Sequence, residues 1–164
     1  MKPCLLFLCL FISLTVCSQT YYIVRHAEKA VPAEGSNMMA NDPPLSDAGK
    51  ARAQSLKELL KDKHIAYVYS TNTIRTRTTA EPFSQLSGIT IQTYGPRPDS
   101  AFIQQLKALD KNVLIVGHSN TVDDIVNMLC NEQKLPGDLP DSEYDNLFIV
   151  TKKNGKMSYE VKKF

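Results

Sequence analysis

Cysteine is nearly absent from the body of this chain. Of its four cysteines, Cys4, Cys9 and Cys17 fall at the start, which leaves Cys130 alone in the remainder. A single cysteine builds neither an internal disulfide nor a cysteine-rich zinc site, so Cys130 reads as a small apolar residue of a helix. An excess of charge of one sign is also missing. Lysine and arginine total 19 against 17 acidic residues, and the basic positions are spread out rather than clustered. That argues against nucleic acid as an obligate partner while permitting a small anion in a local positive pocket.

Long apolar runs are lacking too. The run Leu5 to Val16 is too short to span a bilayer. With Lys2 before it and the short residues Cys17 and Ser18 after it, the segment reads as a signal peptide over residues 1–18. The mature chain would then begin at Gln19 or Thr20 and be exported, to the periplasm or outside the cell. The rival is a lipoprotein signal with Cys17 lipidated, the one case in which a membrane becomes a partner; Val16 before that cysteine fits it poorly. Residues 19–164 show no repeat or low-complexity tract, and 43% hydrophobic against 22% charged residues is ordinary for one soluble domain.

Strand-like and helix-like segments alternate along that domain. Tyr21 to Val24 is β-prone, and residues 27–44 form a long loop rich in proline and asparagine. Ser46 caps a helix to about Asp62; Ile65 to Tyr69 is a strand, and a helix follows from Thr73 to Leu86. Ile89 to Thr93, a helix over Asp99 to Leu109, the buried strand Val113 to Val116 and a helix from Asn120 to Cys130 continue the pattern. Leu147 to Thr151 and Ser158 to Val161 close it as a hairpin about Asn154-Gly155. The predicted fold is an α/β three-layer sandwich: a mainly parallel central sheet, helices on both faces and an antiparallel edge.

Active sites of such sheets lie beyond the carboxyl ends of the strands. The first strand ends in Arg25-His26, the second leads to Arg75, and the fourth ends in Gly117-His118. Arginine offers a planar fork matched to phosphate oxygens. A neutral imidazole can attack phosphorus, and a second, cationic imidazole can hold an oxygen as charge builds. Helix N-termini after the strands would add N–H donors.

Four segments extend this into a likeness. Tyr22-Ile-Val-Arg-His-Ala-Glu-Lys29, Pro44-Leu-Ser-Asp-Ala-Gly49, the stretch from Tyr69 to Pro82 containing Arg75, and Val113-Leu-Ile-Val-Gly-His-Ser-Asn120 occur in the order found in the histidine phosphatase superfamily, which the chain resembles from Tyr21 to about Val150. The resemblance implies a phosphoglycerate mutase-like fold and hydrolysis of a phosphate monoester through a phosphohistidine on His26. It implies Arg25, Arg75 and His118 as phosphate ligands, with His118 also catalytic. The implied substrate is a small phosphorylated molecule, such as a sugar phosphate or an envelope glycan phosphate, and neither metal nor cofactor is implied. Ala27 stands where glycine is commoner. No glutamate motif follows the second helix, so the proton donor is sought elsewhere: Asp99 first, Glu28 as its rival.

Other readings compete. A phosphomutase or phosphohistidine phosphatase would share the fold, and a phosphate-binding module would keep the pocket without chemistry. Gly117-His-Ser-Asn-Thr121 resembles a serine-hydrolase elbow, but Thr121 replaces the last glycine and every histidine precedes Ser119. A metal hydrolase using His26, Glu28 and His118 would set arginines against a cation. His64 reads as a residue of a helix C-terminus, Arg77 as a salt-bridge residue pointing away from Arg75, and Lys29 and Lys50 as solvated.

Overall fold

The computed structural model describes residues 18–31 and 41–164. The proposed leader, apart from Ser18, and the middle of the long first loop lie outside the described residues.

The order of elements is the expected alternation. It runs β1 (Ser18–Arg25), α1 (Asp47–Leu60), β2 (Ile65–Thr71), α2 (Ile74–Ser87), β3 (Ile91–Tyr94), α3 (Ser100–Ala108), β4 (Asn112–Gly117), α4 (Ser119–Cys130), β5 (Asn146–Lys153) and β6 (Lys156–Lys163). The sheet order is β3-β2-β4-β1-β5-β6. Strands β1 to β4 pair in parallel, and β5 and β6 run antiparallel along one side.

Period-two alternation in the central strands divides the core between two faces. Tyr22, Val24, Leu114 and Val116 pack under Leu56 and Leu60 of α1 and Ala80 and Phe83 of α2. Tyr21, Ile23, Val113 and Ile115 pack on the opposite side, against Phe102 and Leu106 of α3 and Val122 and Ile125 of α4. Both faces of β1 and β4 are therefore covered. That is why these strands read as unbroken apolar runs.

Two boundaries differ from expectation. β1 starts at Ser18 rather than Tyr21, because Ser18 to Thr20 pair with Lys153 to Thr151 and the Thr20 N–H donates to Asn112 Oδ1. β3 starts at Ile91 rather than Ile89, because α2 runs to Ser87 and Gly88 ends it in the left-handed region at φ 71°. Residues 89 and 90 are spent on the turn. The hairpin signal at Asn154-Gly155 is realised, with φ of 51° and 76°.

Parallel pairing aligns Arg25 with Gly117 and Thr71 with Tyr94. The carboxyl ends of all the parallel strands thus share one edge of the sheet, and the loops after them converge there.

Candidate active site

At that edge lies an open cavity of about 870 Å³, with Arg25, His26, Arg75 and His118 in its wall. The ring centroids of His26 and His118 are 5.4 Å apart, at an interplanar angle of 68°.

His26 follows β1 directly and is 4% exposed. Its Nδ1 lies 2.8 Å from the Ala27 carbonyl oxygen, so Nδ1 carries the hydrogen and donates it. Nε2 keeps the lone pair. Burial, then the charges of Arg75 and Arg25 and the nearby His118, drives the imidazole pKa down to about 3, although the Ala27 contact opposes the shift. At neutral pH this ring is an uncharged base.

His118 caps α4, and both of its ring nitrogens are engaged. Nε2 is 2.8 Å from Thr71 Oγ1, whose hydroxyl donates to Thr76 Oγ1. Thr71 therefore accepts the Nε2–H, and Nδ1 accepts from Arg75 Nη2 at 3.3 Å. Burial and then Arg75 lower its pKa to about 4, against a raising contribution from Asp42. The sequence reading gave His118 a positive charge; here it is neutral, because the pocket already holds two guanidinium groups and removes water from the ring.

Close packing explains the glycine before it. A Cβ on Gly117 would lie 2.6 Å from Thr121 Oγ1 and 2.8 Å from the Tyr94 hydroxyl. The same Thr121 oxygen accepts the His118 N–H at 2.9 Å, which fixes the start of α4 against the strand end.

The two arginines are held by residues that sequence reasoning missed. Arg25 Nη1 donates to the carbonyls of Pro140 and Glu143, and its Nη2 reaches Asp141 and the Tyr144 hydroxyl. Its guanidinium lies 4.2 Å from the centroid of the Tyr144 ring, and Nε is buried without a partner among the described residues. Arg75 pairs with Asp42 at 3.0 Å, and the other Asp42 oxygen accepts the Ile74 N–H at the start of α2. Asp42 and the 140–144 loop carry no periodic pattern, which left them invisible in the sequence.

The remaining predicted residues separate. Asp99 lines the cavity, with Oδ1 accepting the Phe102 N–H at 2.8 Å as the cap of α3. Glu28 is not part of the cavity wall. Its carboxylate is gripped by Arg52, with contacts of 2.6 to 2.9 Å, and those hydrogen bonds hold its pKa below the usual carboxylate range. Ionised and held by Arg52 outside the cavity wall, Glu28 does not supply a proton beside His26, which corrects its reading as the rival donor. Arg77 makes no ion pair among the described residues, contrary to expectation, and it lies outside the cavity wall that includes Arg75. Lys29 and Ser119 line the cavity; His64 is exposed, with φ of 49°.

The buried neutral histidines have a consequence for stability. An unfolded chain protonates them near pH 6.5, whereas the folded protein holds them neutral down to about 4 for His118 and 3 for His26. Their contribution is complete above pH 6.5 and is lost as pH falls through that window, because only the unfolded state takes up the protons. At about 1.4 kcal/mol for each pH unit and group, urea midpoints should fall markedly between pH 6.5 and 4. His26→Gln should flatten that slope, and an unchanged slope would show that other groups cause it.

Known proteins resemble this chain in sequence over part of its length and in fold over most of it. Residues 21–95 match the Histidine phosphatase superfamily (branch 1). A probable phosphoglycerate mutase, GpmB, of Citrobacter koseri is 32% identical over 101 residues, which are 62% of this chain and 43% of that protein. The chain thus aligns with less than half the length of that relative. The crystal structure of a putative phosphohistidine phosphatase, SixA, from Agrobacterium tumefaciens superposes with a TM-score of 0.62 at 22% identity, covering 87% of this chain and 97% of that one. Phosphoglycerate mutase from Bacillus anthracis superposes with a TM-score of 0.61 at 15% identity, covering 90% and 92%. The matched segment, just under half of the chain, is similar to the histidine phosphatase superfamily, and the fold as a whole is the one these structures share.

Proposed function

We propose that this protein is a phosphatase that hydrolyses a phosphate monoester through a phosphohistidine on Nε2 of His26. One observation carries the reading: His26 is neutral, with Nδ1–H bound to the Ala27 carbonyl and its Nε2 lone pair left over, in a cavity wall that also holds Arg25, Arg75 and His118. In the proposed reaction Nε2 attacks phosphorus as the ester P–O bond breaks. The ring becomes cationic, and the Ala27 carbonyl supports the new charge through Nδ1–H. Arg25 and Arg75 hold non-bridging oxygens, aimed where charge accumulates, and His118 joins them by turning its Nε2–H from Thr71 to the phosphoryl group. Water then attacks the phosphohistidine, the P–N bond breaks, and inorganic phosphate leaves.

An alkoxide is a poor leaving group and needs a proton. Asp99 is the proposed donor: it lines the cavity, and its cap bond uses Oδ1 and leaves Oδ2 free of that contact. The attacking water returns the proton to the same carboxylate. Asp99→Asn should then slow alkyl phosphates strongly, roughly 10²-fold or more, and barely slow nitrophenyl phosphate, whose leaving group departs unprotonated. Equal effects on both substrates, or none, would remove Asp99 from the mechanism.

The mutase named among the relatives keeps phosphomutase activity as the second reading. Incubation with phosphate-labelled esters separates the possibilities. Label trapped on histidine and released as inorganic phosphate is expected; label returned to a second hydroxyl of the substrate would make the protein a mutase. Tight phosphate binding with neither product would leave only a binding module.

A further inference from the structure

The acidic residue two positions beyond His26 has no place in the cavity wall, yet both its side chain and its backbone are held. Glu28 takes three hydrogen bonds from Arg52 of α1, through Nε to both carboxylate oxygens and through Nη2 to one of them. The side chains are only 25% and 23% exposed. The Glu28 backbone is held as well: its carbonyl accepts the Ser46 N–H at 2.9 Å and the Ser46 hydroxyl at 3.3 Å. Gly49 lets α1 lie directly on it, since a Cβ there would overlap the Glu28 carbonyl oxygen and stand 3.0 Å from its nitrogen. Arg52 is fixed from its far side by Nη1 donating to the Phe164 carbonyl oxygen at 2.7 Å.

The peptide unit that joins Ala27 to Glu28 carries the carbonyl to which His26 Nδ1 donates. Its preceding amide is tied by the Ala27 N–H donating to Thr79 Oγ1 at 3.0 Å. A peptide plane is rigid, so anchoring Glu28 on one side and the Ala27 amide on the other sets the direction of the Ala27 carbonyl. That direction decides which ring nitrogen of His26 keeps its hydrogen, and therefore which one is bare.

We infer that Glu28 and Arg52 are positioning residues: their fork orients the Ala27 carbonyl, and through it holds His26 as the Nδ1–H tautomer with Nε2 free for attack. The inference rests on His26 being the nucleophile for its catalytic consequence, but not for its structural one. Arg52 is well suited to the task, because a guanidinium grips a carboxylate at two points and defines its plane, whereas an ammonium offers one point charge.

Nitrogen-15 NMR of His26 in the full chain tests this without reference to activity. Wild-type protein should show one tautomer, with the hydrogen on Nδ1. Glu28→Ala and Arg52→Lys should each give a mixture, lower kcat by about tenfold to a hundredfold, and leave KM within twofold. Glu28→Gln, which keeps an amide oxygen for Arg52, should recover part of both signals. If Glu28→Ala does not fold, Arg52→Lys carries the test, since it keeps the charge. Variants that lose thermal stability but retain a single Nδ1–H tautomer and normal kcat would overturn the inference and leave the pair a fold-stabilising contact. Should His26→Ala retain turnover while the tautomer still responds to Glu28, the proposed reaction fails and the positioning role stands.

Discussion

Alanine in place of His26 is expected to end turnover and to leave no acid-labile phosphate on the protein. Nothing else in the wall can take over the nucleophile's task as the site stands. Both nitrogens of His118 are engaged, one with Arg75 and one with Thr71. Ser119 has no histidine hydrogen bond among the described residues that would activate its hydroxyl. The loss should reach about 10⁴- to 10⁶-fold in kcat, the scale seen when a covalent nucleophile is removed and only the surrounding binding groups remain. The wild-type adduct should sit on Nε2, because Nδ1 is held as a donor 2.8 Å from the Ala27 oxygen. Rapid acid and base quench after mixing with labelled ester reads both points: acid-labile, base-stable phosphate in the wild type, none in the variant. Phosphorus NMR of the trapped species distinguishes the ring nitrogens. Turnover of His26→Ala within tenfold of wild type would refute covalent catalysis at this residue, and an adduct on Nδ1 would refute the tautomer argument while leaving the nucleophile intact.

The sequence displayed what depends on local pattern. The strands at Tyr21 and Val113 were legible because both of their faces are buried, and the cap at Ser46 follows from a side chain that competes for free N–H groups. Once the parallel sheet was recognised, the positions of Arg25, His26, Arg75 and His118 at one edge followed from the common direction of the strands. The partners of these residues obeyed no such rule. Arg25 is cradled by a loop more than a hundred positions away, and Arg75 is paired by a residue of a proline-containing loop on the far side of α1. Glu28 looked like a candidate acid because sequence proximity to His26 suggests shared work. It is turned instead to Arg52, 24 residues on, and only the packing of α1 over the strand end reveals that. The charge of His118 was misjudged for a related reason. Burial and two neighbouring guanidinium groups act through space, and neither can be summed from the order of residues.

Arg75→Ala should lower kcat by about 10²- to 10³-fold, as removal of one aimed charge donor typically does, whereas Arg77→Ala should stay within twofold. The two arginines lie two residues apart on α2 and so differ by about 200° around the helix axis at ~100° per residue. Arg75 is the one directed to the cavity, where a single guanidinium touches both Asp42 and His118. Asp42 steadies one end of the fork, and in the proposed reaction the end near His118 meets a phosphoryl oxygen. Arg75→Lys should recover little of the loss, because one ammonium cannot satisfy Asp42, His118 and the substrate together. A spectroscopic signature accompanies the kinetic one. The Arg75 charge is the second cause, after burial, that depresses the His118 pKa to about 4, so its removal should let that value rise toward the ordinary imidazole range. Titration of His118 by NMR in Arg75→Ala and Arg77→Ala measures this directly. A full loss of kcat in Arg77→Ala with Arg75→Ala near normal would mean that the helix presents the other arginine to the substrate. Unchanged His118 titration in Arg75→Ala would show that burial alone keeps the second imidazole neutral.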